Sequence, residues 1–134
     1  MYKRQAFGRP IGSYQAIKHK LVEMLRLIEG ARSVVAASGI RSEPGDLAEA
    51  ANAARVLAEG ALAYAAAENI FIHGAVGATW EHDASLYYRR AEASRRLAGG
   101  PDAAARVVAR TMIDRRRAHR ALNGRALSAS LAAS

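Results

Sequence analysis

The sequence predicts an all-α protein, an antiparallel helical bundle, and three observations lead there. Hydrophobic residues make up 51% of the 134 positions, with Ala the largest contributor, and Ala favours close-packed helices where strands prefer Val, Ile, Thr and aromatics. Apolar residues recur at steps of three and four along most of the chain. Gly and Pro fall in a few clusters, leaving long uninterrupted segments between short connections. The length suits one domain with a single core.

Met1 to Gly12 is a lead-in broken by Gly8, Pro10 and Gly12. Ser13 is the expected N-cap of the first helix. From Tyr14 the set Ile17, Leu21, Met24, Leu25, Ile28, Ala31 and Val35 traces one helical face to about Ala37, some 35 Å at 1.5 Å per residue (about 24 residues). Gly39 and Pro44-Gly45 close it, and Asp46 with Glu49 forms a capping-box pattern for the second helix. That helix should reach about Ile72, with Leu47, Ala51, Ala54, Leu57, Ala61 and Ala65 on one side. Side chains this small imply close approach to a neighbour. His73 to Gly77 stops it. Asp83 is read as the cap of a third helix ending at Gly99-Gly100, and Pro101 opens a fourth that should run to Asn123-Gly124. Residues 1–124 are then a helical domain and 125–134 a frayed Ala/Ser-rich tail. No strand pattern and no internal repeat stands out.

Charge and composition exclude several classes. There is no Cys, so disulfides, thiolate metal sites and Cys nucleophiles are out. No apolar run is long enough for a membrane span, and Met-Tyr-Lys-Arg-Gln lacks the apolar stretch of a secretory signal. A cytoplasmic protein is expected. Residues 1–88 carry nine basic and nine acidic side chains, whereas 89–134 carry eleven Arg against Glu92, Asp102 and Asp114. The whole net charge of +8 therefore sits in the last third. A solvated face or a subunit contact accounts for it better than nucleic acid, because no aromatics interleave the Arg.

Two segments carry more. Arg4-Gln5-Ala6-Phe7-Gly8-Arg9-Pro10-Ile11-Gly12-Ser13-Tyr14-Gln15-Ala16-Ile17-Lys18-His19 is one; Ile72-His73-Gly74-Ala75-Val76-Gly77-Ala78-Thr79-Trp80-Glu81-His82-Asp83, followed by Leu86-Tyr87-Tyr88-Arg89-Arg90-Ala91, is the other. Together they resemble the C-terminal helical domain of acyl-CoA dehydrogenases, over nearly the whole chain and least after Gly99. The resemblance implies flavoprotein chemistry: α,β-desaturation of an acyl-CoA thioester. A carboxylate takes the α proton, the β hydride goes to FAD, and electrons pass to an electron-transfer flavoprotein. It also implies an N-terminal helical domain and a middle β domain, for which this chain has no room.

The resemblance assigns five cofactor-binding residues. Arg4 matches an Arg on the FAD pyrophosphate of a neighbouring subunit, a pairing suited to guanidinium geometry. Phe7 matches an aromatic beside the cofactor, with a core or staple role as the alternative. Gln15 matches a Gln on the adenine side. Gly74 and Gly77 match a turn where backbone approaches the neighbour's cofactor, which also serves as a helix stop. Trp80, Glu81, His82 and Asp83 are expected to be structural: a buried Trp, a cap, and polar groups fixing the loop. His73, Glu81, His82 and Asp83 lack the clear third ligand that a metal site would need.

Departures from the family pattern bear on activity. Phe71 stands where the family has Gln, Ala75 replaces the second Gly, and Ala78 replaces an aromatic. Many members place the catalytic Glu just after the third helix, where this chain reads Leu97-Ala98-Gly99-Gly100. Asp102 suits the first turn of a helix better than a base. Other members carry the base on an opening bundle helix that would precede Tyr2. A bundle lacking that helix leaves an apolar groove, so association is expected, with itself or with a chain supplying the missing parts. Two functions stay in view: a module of an FAD-dependent acyl-CoA dehydrogenase, inactive in isolation, and a non-catalytic helical assembly protein derived from that fold. An Arg-driven nucleic-acid binder is a weaker third.

Overall fold

The computed structural model describes residues 4–40 and 44–132 and is all-α apart from one small hairpin. The hairpin is the first departure from expectation. β1 (Gln5–Ala6) pairs antiparallel with β2 (Arg9–Pro10), in register Gln5↔Pro10 and Ala6↔Arg9. Its two-residue turn has positive φ at both Phe7 (52°) and Gly8 (73°), the combination a tight right-twisted hairpin needs. Gly8 adopts this freely, whereas Phe7 does so at a cost of about 1 kcal/mol. Two-residue strands are too short to leave an alternating signature in the sequence.

A 3-10 turn (Ile11–Ser13) leads into α1 (Gln15–Ser38). Ser13 is not the N-cap. Tyr14 occupies that position with extended backbone and no side-chain capping bond, and its hydroxyl instead donates to the Ala6 carbonyl at 2.7 Å. The residues ahead of α1 thus form a hairpin strapped to the helix start.

α2 (Pro44–His73) spans 30 residues. Asp46 and Glu49 do not act as a capping box, since the helix already begins at Pro44. Both carboxylates instead meet Arg115: Asp46 in a close ion pair and Glu49 at 2.9 Å. α3 (Asp83–Arg96) follows a 3-10 turn (Gly74–Ala78), and α4 (Gly100–Ala132) follows another (Leu97–Gly99). The cap of α3 is His82, whose Nδ1 accepts the Ala84 N–H at 3.1 Å, with Asp83 inside the first turn. Gly99 (φ 84°) and Gly100 (φ 71°) make the corner between α3 and α4. α4 continues through Asn123-Gly124, where a stop was expected.

The connectivity makes α2 the hub. Lys20 near the start of α1 pairs with Glu68 near the end of α2, so these two helices are antiparallel. His82 lies beside His73, and Arg55 donates to the Leu97 carbonyl at the other end of α3. Arg115 then reaches Asp46. α3 and α4 therefore run one after the other in the same direction, each antiparallel to α2.

The core explains how such helices approach. Among the described residues the buried apolar positions are Ala31, Ala54, Ala61, Ala66, Ala84, Ala91 and Ala104. Alanine seams let helix axes come close but bury little area per residue. The price is that larger apolar side chains stay outside. Of the face predicted on α1, Ala31 is buried while Leu21, Leu25, Ile28 and Val35 remain exposed, because α2 covers only one edge of that stripe.

Candidate functional site

Arg4 brings the two motif segments together. It immediately precedes β1, and the hairpin closes on it: the Ile11 N–H donates to the Arg4 carbonyl at 3.0 Å. Its guanidinium Nη1 donates to the carbonyl of Ile72, in the last turn of α2. This bond is possible because Gly74 turns the chain with φ +63° and has no Cβ. A Cβ there would sit 2.6 Å from Arg4 Nη2 and 3.2 Å from its Cζ. The glycine thus seats the arginine, a role that motif reading alone did not assign.

Gly77 serves the same turn from inside. It is buried, and a Cβ would lie 2.6 Å from the His73 Cβ and 2.8 Å from the Ile70 carbonyl oxygen. Its missing side chain lets the 3-10 turn fold back against the end of α2. Its closest surroundings are therefore this chain's own helix.

Phe7 is 96% exposed at the hairpin tip, so it packs against no core formed by this chain. Gln15 is the first residue of α1 and is exposed. The Tyr14 hydroxyl bond to Ala6 ties the hairpin carrying Phe7 to the helix start carrying Gln15. Arg4, Phe7 and Gln15 thus belong to one strapped unit, joined to the Gly74 turn through Arg4. Tyr14 itself was passed over in the sequence, where its only signal was its place immediately before the first helix.

The residues around this end depart from expectation in two places. Trp80 is 77% exposed, so it is not the buried tryptophan of a core: it stands in the Thr79–His82 connection, outside any helix. His82 supplies the cap that was read onto Asp83. The His73 and His82 rings are in contact, their centroids 4.6 Å apart and their planes tilted by 46°. His73 Nδ1 lies 2.8 Å from the Asn69 carbonyl and so carries its proton there, while His82 Nδ1 accepts from Ala84. Phe71, at the family's Gln position, is also exposed, and the Lys20 ammonium lies 5.4 Å from its ring centroid while pairing with Glu68. That aromatic carries a cation where an amide would carry a hydrogen bond.

No carboxylate stands on the 3-10 corner Leu97–Gly99. Asp102 lies in the first turn of α4, in a shallow cleft of about 560 Å³ shared with Glu92, Arg95 and Arg96. Among the described residues, no group of three or more His, Asp or Glu converges on a point that could hold a metal. No helix formed by those residues is long and apolar enough to cross a membrane.

The unit is thus a set of helices whose lead-in arginine is seated on a glycine turn at the end of α2. The chain belongs to the acyl-CoA dehydrogenase family, in its C-terminal domain, which residues 1–113 match. Among characterised relatives, acyl-CoA dehydrogenase IpdE2 of Mycobacterium tuberculosis is 45% identical over 98 residues, and that of Mycolicibacterium smegmatis is 42% identical over 98 residues. Acyl-CoA dehydrogenase FadE34 of M. tuberculosis is 42% identical over 101 residues. These alignments take in 72–73% of this chain but 30% of each IpdE2 and 14% of FadE34.

Proposed function

We propose that this chain is the cofactor-completing C-terminal module of an FAD-dependent acyl-CoA dehydrogenase, acting on an acyl-CoA thioester only together with polypeptide that supplies the flavin-binding β domain and the catalytic base. The observation that carries this is the Arg4–Ile72–Gly74 junction. It ties both motif segments together and holds a guanidinium at an exposed position.

The residues fit such a role. Arg4 spends one N–H on Ile72 and retains others for a pyrophosphate, an interaction in which fixed guanidinium geometry counts. Phe7 projects fully from its hairpin and offers an aromatic face. Gln15 presents an amide from the first turn of α1. Gly74 and Gly77 contribute by seating Arg4 and closing the turn. The bound FAD would supply the hydride acceptor. This chain's part is to bind and orient, since the corner where many relatives carry a catalytic glutamate has no acid. That same absence, with Phe71, Ala75 and Ala78, favours a second reading: an assembly module without a catalytic share.

The exposed apolar stripe Leu21, Leu25, Ile28 and Val35 supports association as the working state. Sedimentation of the purified chain should show a dimer or larger, and a compact monomer would count against it. Mixed with FAD, an acyl-CoA and an artificial electron acceptor, the chain alone should give no turnover. Combined with a polypeptide carrying the β domain, it should retain FAD through gel filtration, and Arg4→Ala should weaken that retention roughly tenfold, as loss of one charged pair to phosphate implies. Turnover by the chain alone would refute the first expectation. Unchanged retention in the Arg4 variant would refute the second and leave the assembly reading.

A further inference from the structure

α4 divides into two faces. Ala104 is buried, Val108 and Thr111 are half-buried, and Arg115 pairs with Asp46 and Glu49; these four mark the side turned to α2. On the opposite side Arg106, Arg110, Ile113, Arg117 and Arg120 follow one another at steps of four, three, four and three. That spacing lines them along one stripe, about 21 Å long from first to last. All five are exposed. Among the described residues only Asp114 approaches any of these arginines, 3.9 Å from Arg117. The family match ends at residue 113, in the middle of the stripe, with Arg117 and Arg120 beyond it.

We infer that this stripe is a docking seam for an acidic amphipathic helix of a partner protein, with Ile113 as the apolar centre and the four arginines as its charged rim. The composition matches protein interfaces, which concentrate Arg and depend on a desolvated apolar centre. Met112 and Val107, both exposed, flank that centre. Charge complementarity requires the partner to be acidic. A second copy docked through the same face would oppose arginine with arginine, since the net charge of +8 lies wholly in residues 89–134, and its residues 1–88 offer no net acidic surface. A membrane surface would find Ile113 on the stripe with only Val107 and Met112 at its flanks, amid cations, too little apolar area to insert. A nucleic acid would find no aromatic side chain on the stripe to stack upon.

The test uses the full chain and a fluorescein-labelled helical peptide of about three heptads, with Glu at its a and d positions and one central Leu. Anisotropy should report binding that weakens at least about tenfold between about 50 and 300 mM salt, as screening of several ion pairs demands. Arg110→Glu with Arg117→Glu should weaken it by about a hundredfold or more, and Ile113→Ala by about fivefold. All three positions are exposed, so circular dichroism should show unchanged helicity and melting. A duplex DNA and phosphatidylserine vesicles serve as competing probes. Absence of peptide binding overturns the inference. So does tighter binding to DNA or vesicles than to the peptide, and so does an Ile113→Ala variant that binds like wild type, which would reduce the stripe to unspecific charge.

Discussion

Two glycines, three residues apart, should respond to alanine for different reasons and by different amounts. At Gly74 the added Cβ meets the far end of Arg4, with Nη2 at 2.6 Å and Nη1 at 3.1 Å. That side chain can swing away, so the clash converts into a lost hydrogen bond to Ile72 of about 0.5–1.5 kcal/mol. The left-handed φ of +63° adds about 1 kcal/mol for any residue with a Cβ. At Gly77 the backbone conformation is ordinary, but the Cβ would stand 2.6 Å from the His73 Cβ and 2.8 Å from the Ile70 oxygen. Carbon atoms prefer about 3.5–4.0 Å, and neither neighbour is the tip of a flexible chain. The last turn of α2 must shift by about 1 Å, a cost of roughly 2–4 kcal/mol at a buried site. At about 4 °C of melting temperature per kcal/mol for a chain of this size, Gly74→Ala should lower the midpoint by about 6–10 °C and Gly77→Ala by about 8–16 °C. Helicity is followed by circular dichroism at fixed protein concentration, because association would otherwise shift the midpoint. The mechanisms separate in an Arg4→Ala background. There the Gly74→Ala cost should fall to the backbone part alone, about 1 kcal/mol, while the Gly77→Ala cost should not change. A Gly77→Ala variant melting within about 2 °C of wild type, or a Gly74 cost indifferent to Arg4, would refute the reasoning.

Three further outcomes follow from the same geometry. His82→Ala removes the acceptor for the Ala84 N–H and should cost about 1 kcal/mol by chemical denaturation, with His82→Asn restoring most of it because Asn is a good N-cap. Arg115→Met removes the pairs to Asp46 and Glu49, the latter side chain 18% exposed, and should destabilise the chain by about 1 kcal/mol, less at high salt. The hydrogen bonds from Arg26 hold the Glu23 carboxyl below its ordinary range, with coulombic attraction to Arg26 adding to them. The stability this pair contributes is present above the unfolded carboxyl pKa and disappears as the pH falls through the lower folded value; Glu23→Gln should therefore lower stability slightly at neutral pH, converge with wild type in acid, and so flatten the acid limb of a stability-versus-pH curve.

What could be read in the sequence follows the range of the forces involved. Helix interiors were legible because apolar spacing and glycine punctuation are local: α1, α2 and α3 lie where their periodicity and stops put them. Their caps were not. Asp46 and Glu49 have capping-box spacing, but a distant arginine at position 115 competes for both carboxylates. Asp83 is a common cap residue, yet His82 holds the geometry one position earlier. Trp80 was assigned to a core by residue type, whereas a core sealed by alanines has no space of that size. The hairpin at Gln5–Pro10 escaped notice because its register depends on two positive φ angles and a tyrosine hydroxyl, none of which leaves a periodic trace. At the site, the motifs identified Arg4 and Gly74 separately. Only the folded chain shows that the arginine's guanidinium occupies the space a Cβ on the glycine would take.

The alanine seams and the two uncovered faces are aspects of one design. A helix that presents alanine to its neighbour gains proximity and gives up burial, so α1, α2 and α4 cannot sequester their larger side chains against one another. α1 leaves an apolar stripe outside, Leu21 to Val35, and α4 leaves an arginine stripe outside, Arg106 to Arg120. Apolar area on one side favours another apolar surface, and the cationic stripe on the other favours an acidic one. A single partner surface meets both demands only if it is itself divided between apolar and acidic character. Two different contacts, one made by each of α1 and α4 across the hub α2, satisfy the chemistry with no such constraint. Disrupting one should therefore spare the other: Leu25→Glu should abolish self-association while leaving the acidic peptide bound, and Arg110→Glu with Arg117→Glu should do the reverse. Simultaneous loss of both activities in either variant would show that the two faces serve one interface.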